Sequence, residues 1–155
     1  METAYLCPEN DQLEVPISFI HINRINRTHK ALSIDYTLNR PIDDKIEATL
    51  LVEKLENSGW LKVPSVPWQK NPCEYGRRID KEGSIRFLKT LGLVPADACP
   101  IPGGNYSVKN YVLELPHSTP FWAGRFRCKF VMRIINTKKN IYCVMFIINI
   151  VEKVD

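Results

Sequence analysis

The sequence predicts an all-β, mainly antiparallel sandwich or cup with one short helix, and three observations point there. Runs of alternating apolar and polar residues recur along the chain, residues 31–39 being the cleanest. Only residues 80–91 carry a helical period. No strand–helix–strand repeat, internal repeat or low-complexity segment breaks this pattern, and 155 residues suit a single domain, 1–155, with a sizeable core.

Taken in order, residues 13–24 read as a first strand, with Val15, Ile17 and Phe19 on one face and Ile20 and Ile22 on the other. Pro16 suits an edge or a bulge. In residues 31–39, Leu32, Ile34, Tyr36 and Leu38 face one way and Ser33, Asp35, Thr37 and Asn39 the other, the mark of a half-buried antiparallel strand. Pro41-Ile42-Asp43-Asp44 turns the chain into a strand over residues 46–55. Asn57-Ser58-Gly59 reads as a hairpin loop that returns through Trp60-Leu61-Lys62-Val63. Pro64, Pro67 and Pro72 surround Trp68 and predict a stiff, irregular segment ending at Cys73. The helix follows, with Ile85, Leu88 and Leu91 on one face, Phe87 beside them and Gly92 as its stop; Gly83 weakens its first turn.

Beyond the turn Cys99-Pro100-Ile101-Pro102-Gly103-Gly104, residues 105–115 and 125–135 are strands joined by a loop in which Pro116 and Pro120 precede Phe121 and Trp122. Phe126, Cys128, Phe130, Met132 and Ile134 share one face of the second strand. Residues 136–140 form a turn, and the nearly continuous apolar run 141–151 closes the fold as a strand that is central or buried on both faces. With that turn, Cys128 is expected opposite a residue near Ile148, too far from Cys143 for a bond, which needs Cα atoms within roughly 7 Å.

The net charge of +4 is spread along the chain, and no nucleic-acid-binding motif accompanies it, so no nucleic-acid partner is expected. Five cysteines lie far apart with no CxxC pair, against a zinc ribbon or thioredoxin-type motif and in favour of long-range disulfides in an oxidising compartment. An odd count leaves at least one thiol free or paired between molecules. Asn26-Arg27-Thr28 and Asn105-Tyr106-Ser107 are glycosylation sequons, of which Asn26 is expected to be the better acceptor in a secreted chain. The first residues carry no signal-peptide pattern, which fits a numbering that begins near a mature terminus or a cytosolic chain; no apolar run reaches the roughly 20 residues of a membrane span, so a soluble protein is expected.

Catalytic chemistry finds no foothold. His21, His29 and His117 share no metal-ligand spacing, Asp43-Asp44 is a turn pair, and Ser118-Thr119 has no sequence context supplying a base or an oxyanion hole. Pro102-Gly103-Gly104-Asn105 lacks a P-loop lysine and precedes a strand. No enzyme activity, metal or cofactor is expected. The unusual feature is aromatic placement: Trp68 and the Phe121-Trp122 pair sit among prolines, where they either plug the ends of the core or rim an apolar cavity.

The order of motifs carries a resemblance. Residues 99–107 resemble the CP-x-x-x-G-x-Y-S signature of the ganglioside activator family. Leu115-Pro116 followed by Gly124-Arg125-Phe126-Arg127 is similar to that family's loop and glycine-led strand, as are Leu50-Leu51-Val52-Glu53-Lys54 and Gly59-Trp60-Leu61-Lys62-Val63-Pro64 upstream. Ile22-Asn23-Arg24-Ile25-Asn26-Arg27-Thr28 is closest to the family's insect branch, which includes B-type chemosensory proteins.

This resemblance, which spans most of the chain from Cys7 to Cys143, implies the ML lipid-recognition fold: an immunoglobulin-like β-cup with an apolar cavity and no catalytic machinery. It implies a secreted, non-enzymatic carrier of a lipid or other hydrophobic ligand, chemosensory in the insect branch; the alternative is a lysosomal-type activator that presents a glycolipid to a hydrolase. It implies disulfides Cys7–Cys143 and Cys73–Cys99, with Cys128 free. The cup mouth would lie at residues 116–123 and 63–72, with Trp68, Phe121 and Trp122 touching ligand or, transiently, a membrane surface. Phe87, Leu88, Leu91, Phe130 and Met132 complete the expected ligand-contacting set. Fewer cysteines between Cys73 and Cys99 than in the activator leave ganglioside specificity outside what the resemblance carries. Neither the ligand nor the oligomeric state is readable from the residues.

Overall fold

The alternation that marks each strand also decides which side of which sheet it shows to the core. In the computed structural model, which describes residues 2–27, 29–93, 99–112 and 123–150, two antiparallel sheets face one another. The strands are β1 (Thr3–Leu6), β2 (Ile17–Arg24), β3 (Lys30–Leu38), β4 (Ile46–Glu56), β5 (Gly59–Lys62), β6 (Val66–Lys70), β7 (Gly104–Tyr111), β8 (Gly124–Ile134) and β9 (Asn140–Ile150). Two helices, α1 (Pro72–Ile79) and α2 (Lys81–Thr90), lie between β6 and β7. The larger sheet runs β1-β9-β8-β4-β5, with β6 also paired to β4; the smaller runs β2-β3-β7. The all-β sandwich with a little helix is therefore the fold observed.

Between the sheets, Ile34, Leu38 and Val108 of the smaller one meet Ile46, Met132 and Tyr142 of the larger, and Val15, Ile17, Ile42 and Ile141 complete the same buried cluster. Farther along the inner face of the larger sheet, Val52, Phe126, Cys128 and Ile148 form a second cluster. β9 is central, held between β1 and β8, which accounts for its nearly unbroken apolar sequence.

Several boundaries differ from the sequence expectation, each for a local reason. β2 begins at Ile17, and its pairing with β3 shifts between Ile17 and Phe19. That bulge puts Ile17 and Ile20 inward but leaves Phe19 49 % exposed, so Val15, Ile17 and Phe19 do not share one face. Buried Asn10 holds the start of β2, its side chain accepting from the Ile17 N–H at 3.0 Å and donating to the Ile17 carbonyl at 3.1 Å. Residues 64–72 are not irregular: β6 runs through Pro67 and pairs with Glu47–Leu50 of β4, an edge position that tolerates proline.

There are two helices rather than one. Asn71 caps α1 by accepting from the Glu74 N–H, and Pro72 occupies its first turn, where a missing N–H costs nothing. Asp80 ends α1 and caps α2, accepting from the Gly83 N–H at 3.1 Å. Gly83 leaves room for that cap: a Cβ there would stand 2.2 Å from the Asp80 carboxylate, which would have to move aside.

Cys7 and Cys143 are bonded, Cα atoms 5.8 Å apart, and so are Cys73 and Cys99, at 5.9 Å. Cys128 is the free cysteine among them and is buried. Its register partner is Phe146, two residues from the expected Ile148, because the turn falls at residues 135–137, earlier than expected, and the bulge after Met132 offsets only one residue of that difference. Cys143 pairs with Val131, so the two cysteines stand on opposite faces of the sheet.

Candidate functional site: an apolar cavity between the sheets and the helix pair

A cavity of about 210 Å³ opens where the helix pair meets the two sheets. Tyr36 and Leu38 of β3 form one wall, and Phe130, Met132 and Tyr142 of β8 and β9 the opposite one. Pro72, Cys73 and Gly76 of α1 and Ser84, Phe87 and Leu88 of α2 close the side, with Ile42 and Ile101 bridging the ends of the sheets. No charged side chain is among these lining residues.

The sequence places these groups by simple rules. Tyr36 falls on the apolar face of the alternating β3, and Phe130 and Met132 on the inner face of β8, two residues apart. Phe87 and Leu88 lie on the buried side of α2, where Phe87 packs edge-on against Tyr111 with ring centroids 5.4 Å apart. Tyr111 reaches that position because β7 carries an extra residue: pairing with β3 shifts between Ile34–Val108 and Leu32–Tyr111, and Asn110 has φ 53°. Cys73 ties α1 to Cys99 and so to the turn that leads into β7.

An aromatic chain runs through the cavity. Tyr36 sits between Tyr106 and Tyr142, with centroids 5.7 and 5.8 Å away, and Tyr142 meets Phe130 edge-on at 6.0 Å. Tyr106 donates its hydroxyl to the Pro102 carbonyl. Burial, reinforced by the neighbouring phenol, holds the Tyr36 and Tyr142 hydroxyls well above the usual tyrosine range, so both are neutral donors at ordinary pH. Burial likewise pushes the Cys128 thiol up to about 11.

Of the residues singled out from sequence, Phe87, Leu88, Phe130 and Met132 line the cavity together. Leu91 packs against the adjoining core but is not a lining residue. Phe121 and Trp122 lie outside the described residues, as does most of the loop assigned to the mouth. Trp68 does not line the cavity. It stands on the outer face of the larger sheet beside Val131, Met145 and the Cys7–Cys143 bond, with the Arg133 guanidinium 3.6 Å from its ring centroid. The expectation that placed it at the mouth took residues 64–72 for a loop, and β6 instead fixes the direction of its side chain. Asn26 is exposed between β2 and β3, accepting from the His29 N–H at 2.9 Å, and Asn105 is exposed on β7, accepting from the Thr37 hydroxyl.

Tyr142 and the α1 wall escaped sequence reasoning. Tyr142 is embedded in an apolar run that gives no face preference, whereas Asn71-Pro72 carried a helix-start signal in plain view. Among the described residues, the one cluster of metal-type side chains, Cys7, Glu9 and Cys143, offers no thiolate because its cysteines are bonded to each other. No protein-family model and no curated protein matches this chain.

Proposed function

We propose that this protein is a non-enzymatic binding or carrier protein for a lipid or other hydrophobic ligand, secreted, and of the ML lipid-recognition type, with a chemosensory role suggested by the resemblance to the insect branch. The observation that carries the reading is the cavity between the sheets, mostly apolar in its walls and with no charged side chain among the described lining residues. Ligand sites of this kind bind by removing apolar surface from water and use few polar groups to orient the guest. Two disulfides, one of them tying α1 at the cavity wall, suit an oxidising extracellular setting, and no helix among the described residues is long and apolar enough to cross a membrane. A volume of about 210 Å³ lies below the roughly 300–1,000 Å³ of sites for drug-sized ligands, which favours a small apolar guest over a glycolipid presented to a hydrolase.

Organic extraction of natively purified protein followed by mass spectrometry, alongside titration with phenylnaphthylamine, tests this. A retained apolar molecule, or saturable uptake of one dye per chain, is expected. A protein that neither retains an apolar molecule nor takes up the dye would overturn the proposal. Stimulated turnover when the protein is mixed with a glycolipid and its hydrolase would favour the activator alternative.

A further inference from the structure

Two hydroxyls in the cavity wall lack a partner. Tyr142 is only 8 % exposed, and Tyr36 lies beside it, yet neither hydroxyl has a hydrogen-bond partner among the described residues. No side-chain nitrogen or oxygen among those residues is both sealed from all open space and unpartnered. The two phenol oxygens therefore keep some accessible surface, and both residues line the cavity. Tyr106, the third member of the aromatic chain, differs: its hydroxyl is occupied by the Pro102 carbonyl, and it is not a lining residue.

Burying a phenol without a hydrogen bond is costly, and a fold that needed only an apolar wall would be served by phenylalanine, as at Phe87 and Phe130. Two neutral phenols whose ring centroids lie 5.8 Å apart, both on the cavity wall, offer donors to an oxygen acceptor. Among the described residues no lysine, arginine or histidine lines the cavity to balance an anion, so a carboxylate head would be buried without one of them as a partner. A carbonyl, ester or hydroxyl oxygen meets the donors without that cost. Apart from Ser84, Gly76 and the bonded Cys73, the other described lining residues are aliphatic or aromatic, and the space exceeds the cavity of about 150 Å³ that accepts benzene.

We propose that Tyr36 and Tyr142 form a polar subsite in the cavity wall that selects small, neutral, oxygen-bearing apolar molecules and binds them with the oxygen toward the two phenols. This rests on the carrier reading above and adds what that reading leaves open, the chemical class and orientation of the guest. It differs from a lipid held by its tail, whose charged or bulky head stays at the mouth.

Methyl hexyl ketone, octane and octanoate, each competing with a bound fluorescent dye at neutral pH, separate the possibilities. Tyr36→Phe and Tyr142→Phe keep the rings and remove only hydroxyls that no described residue engages, so both should fold with an unchanged denaturation midpoint. Each is expected to weaken the ketone about threefold to tenfold and the pair more, while octane is unaffected. Octanoate should bind wild type at least tenfold more weakly than the ketone. As a second readout, the carbonyl stretch of bound ketone should lie at lower frequency in wild type than in the double variant. Dye and octane binding with a ketone affinity indifferent to both substitutions overturns the subsite and leaves the carrier reading standing. Failure of the dye and all three probes to bind wild type removes both. Octanoate binding as tightly as the ketone overturns the neutral-guest assignment.

Discussion

Trp68→Ala separates a structural tryptophan from a ligand-binding one. The side chain is half-buried on the outer face, against Val131, Met145 and the Cys7–Cys143 bond, while the cavity lies on the inner face of the same sheet. Truncating a fully buried tryptophan costs about 3–5 kcal/mol, and half-burial brings that to about 2. The Arg133 guanidinium, 3.6 Å from the ring centroid, adds about 0.5–1 kcal/mol for a partly exposed cation–π pair. Arg133 keeps its ion pair with Glu47, so no charge is orphaned. The sum, about 2–3 kcal/mol, corresponds to a fall in Tm of about 5–10 °C for a chain of this size. Thermal unfolding beside phenylnaphthylamine titration gives both readouts. Lower Tm with unchanged uptake per folded molecule is the expected result. Weakened uptake with Tm within about 1 °C of wild type would show that Trp68 touches ligand and would refute the outer-face argument.

Three other outcomes follow from single contacts. Gly83→Ala should destabilise by about 1 kcal/mol, because its Cβ displaces the Asp80 carboxylate from the α2 cap; in an Asp80→Ala background the same change should stabilise, as alanine normally does in a helix, and denaturant midpoints of the four proteins check it. Cys128 should resist iodoacetamide in the native protein at pH 8 and react fully in denaturant, and a non-reducing peptide map should show it as the thiol outside the Cys7–Cys143 and Cys73–Cys99 pairs. Stability should fall as pH rises above the ordinary thiol value of 9.0: the unfolded chain releases the Cys128, Tyr36 and Tyr142 protons at their usual values, whereas burial makes the folded state hold them, the thiol to about 11. Urea midpoints across the alkaline range test this, and Tyr142→Phe should flatten the decline.

What was legible in the sequence was whatever a period could state. Leu32, Ile34, Tyr36 and Leu38 announce an inward face, and the structure places all of them in or against the core. Phe126 to Met132 announce another in the same way, and with it the part of the cavity wall that Phe130 and Met132 form. Periodicity fails where one residue is inserted. The shifts at Ile17/Phe19 and at Leu32/Ile34 opposite β7 reverse which side chains face inward, and nothing in Ser18 or Asn110 advertises an extra residue. It failed for a different reason at β6 and α1, where proline was read as a breaker although an edge strand and a first helical turn both accept it. That no described residue engages the Tyr36 and Tyr142 hydroxyls is not legible in the sequence, since it depends on what the neighbouring elements bring near them.

The position of the cavity follows from the unequal size of the sheets. Six strands face three, so the smaller sheet cannot cover the inner face of the larger one, and another element must. α1 touches β4 and β6 while α2 touches β7, which makes the helix pair a bridge from one sheet to the other. A bridge of two short helices supplies few large side chains. At their crossing stand Gly76 and Ser84, where an added Cβ on Gly76 would come 3.2 Å from the Ser84 oxygen. Small residues there let the helices approach each other, and they contribute almost no volume to the space beneath. Phe87 and Leu88 fill part of it from one side and Phe130 and Met132 from the other. Closer approach of the helices to the sheets is opposed by the Cys73–Cys99 bond, which fixes α1 to the start of β7, and by the β6–α1 junction, where the Asn71 N–H is held by the Ile46 carbonyl at 2.9 Å. The gap is thus bounded by the chain's connections at both ends of the helix pair.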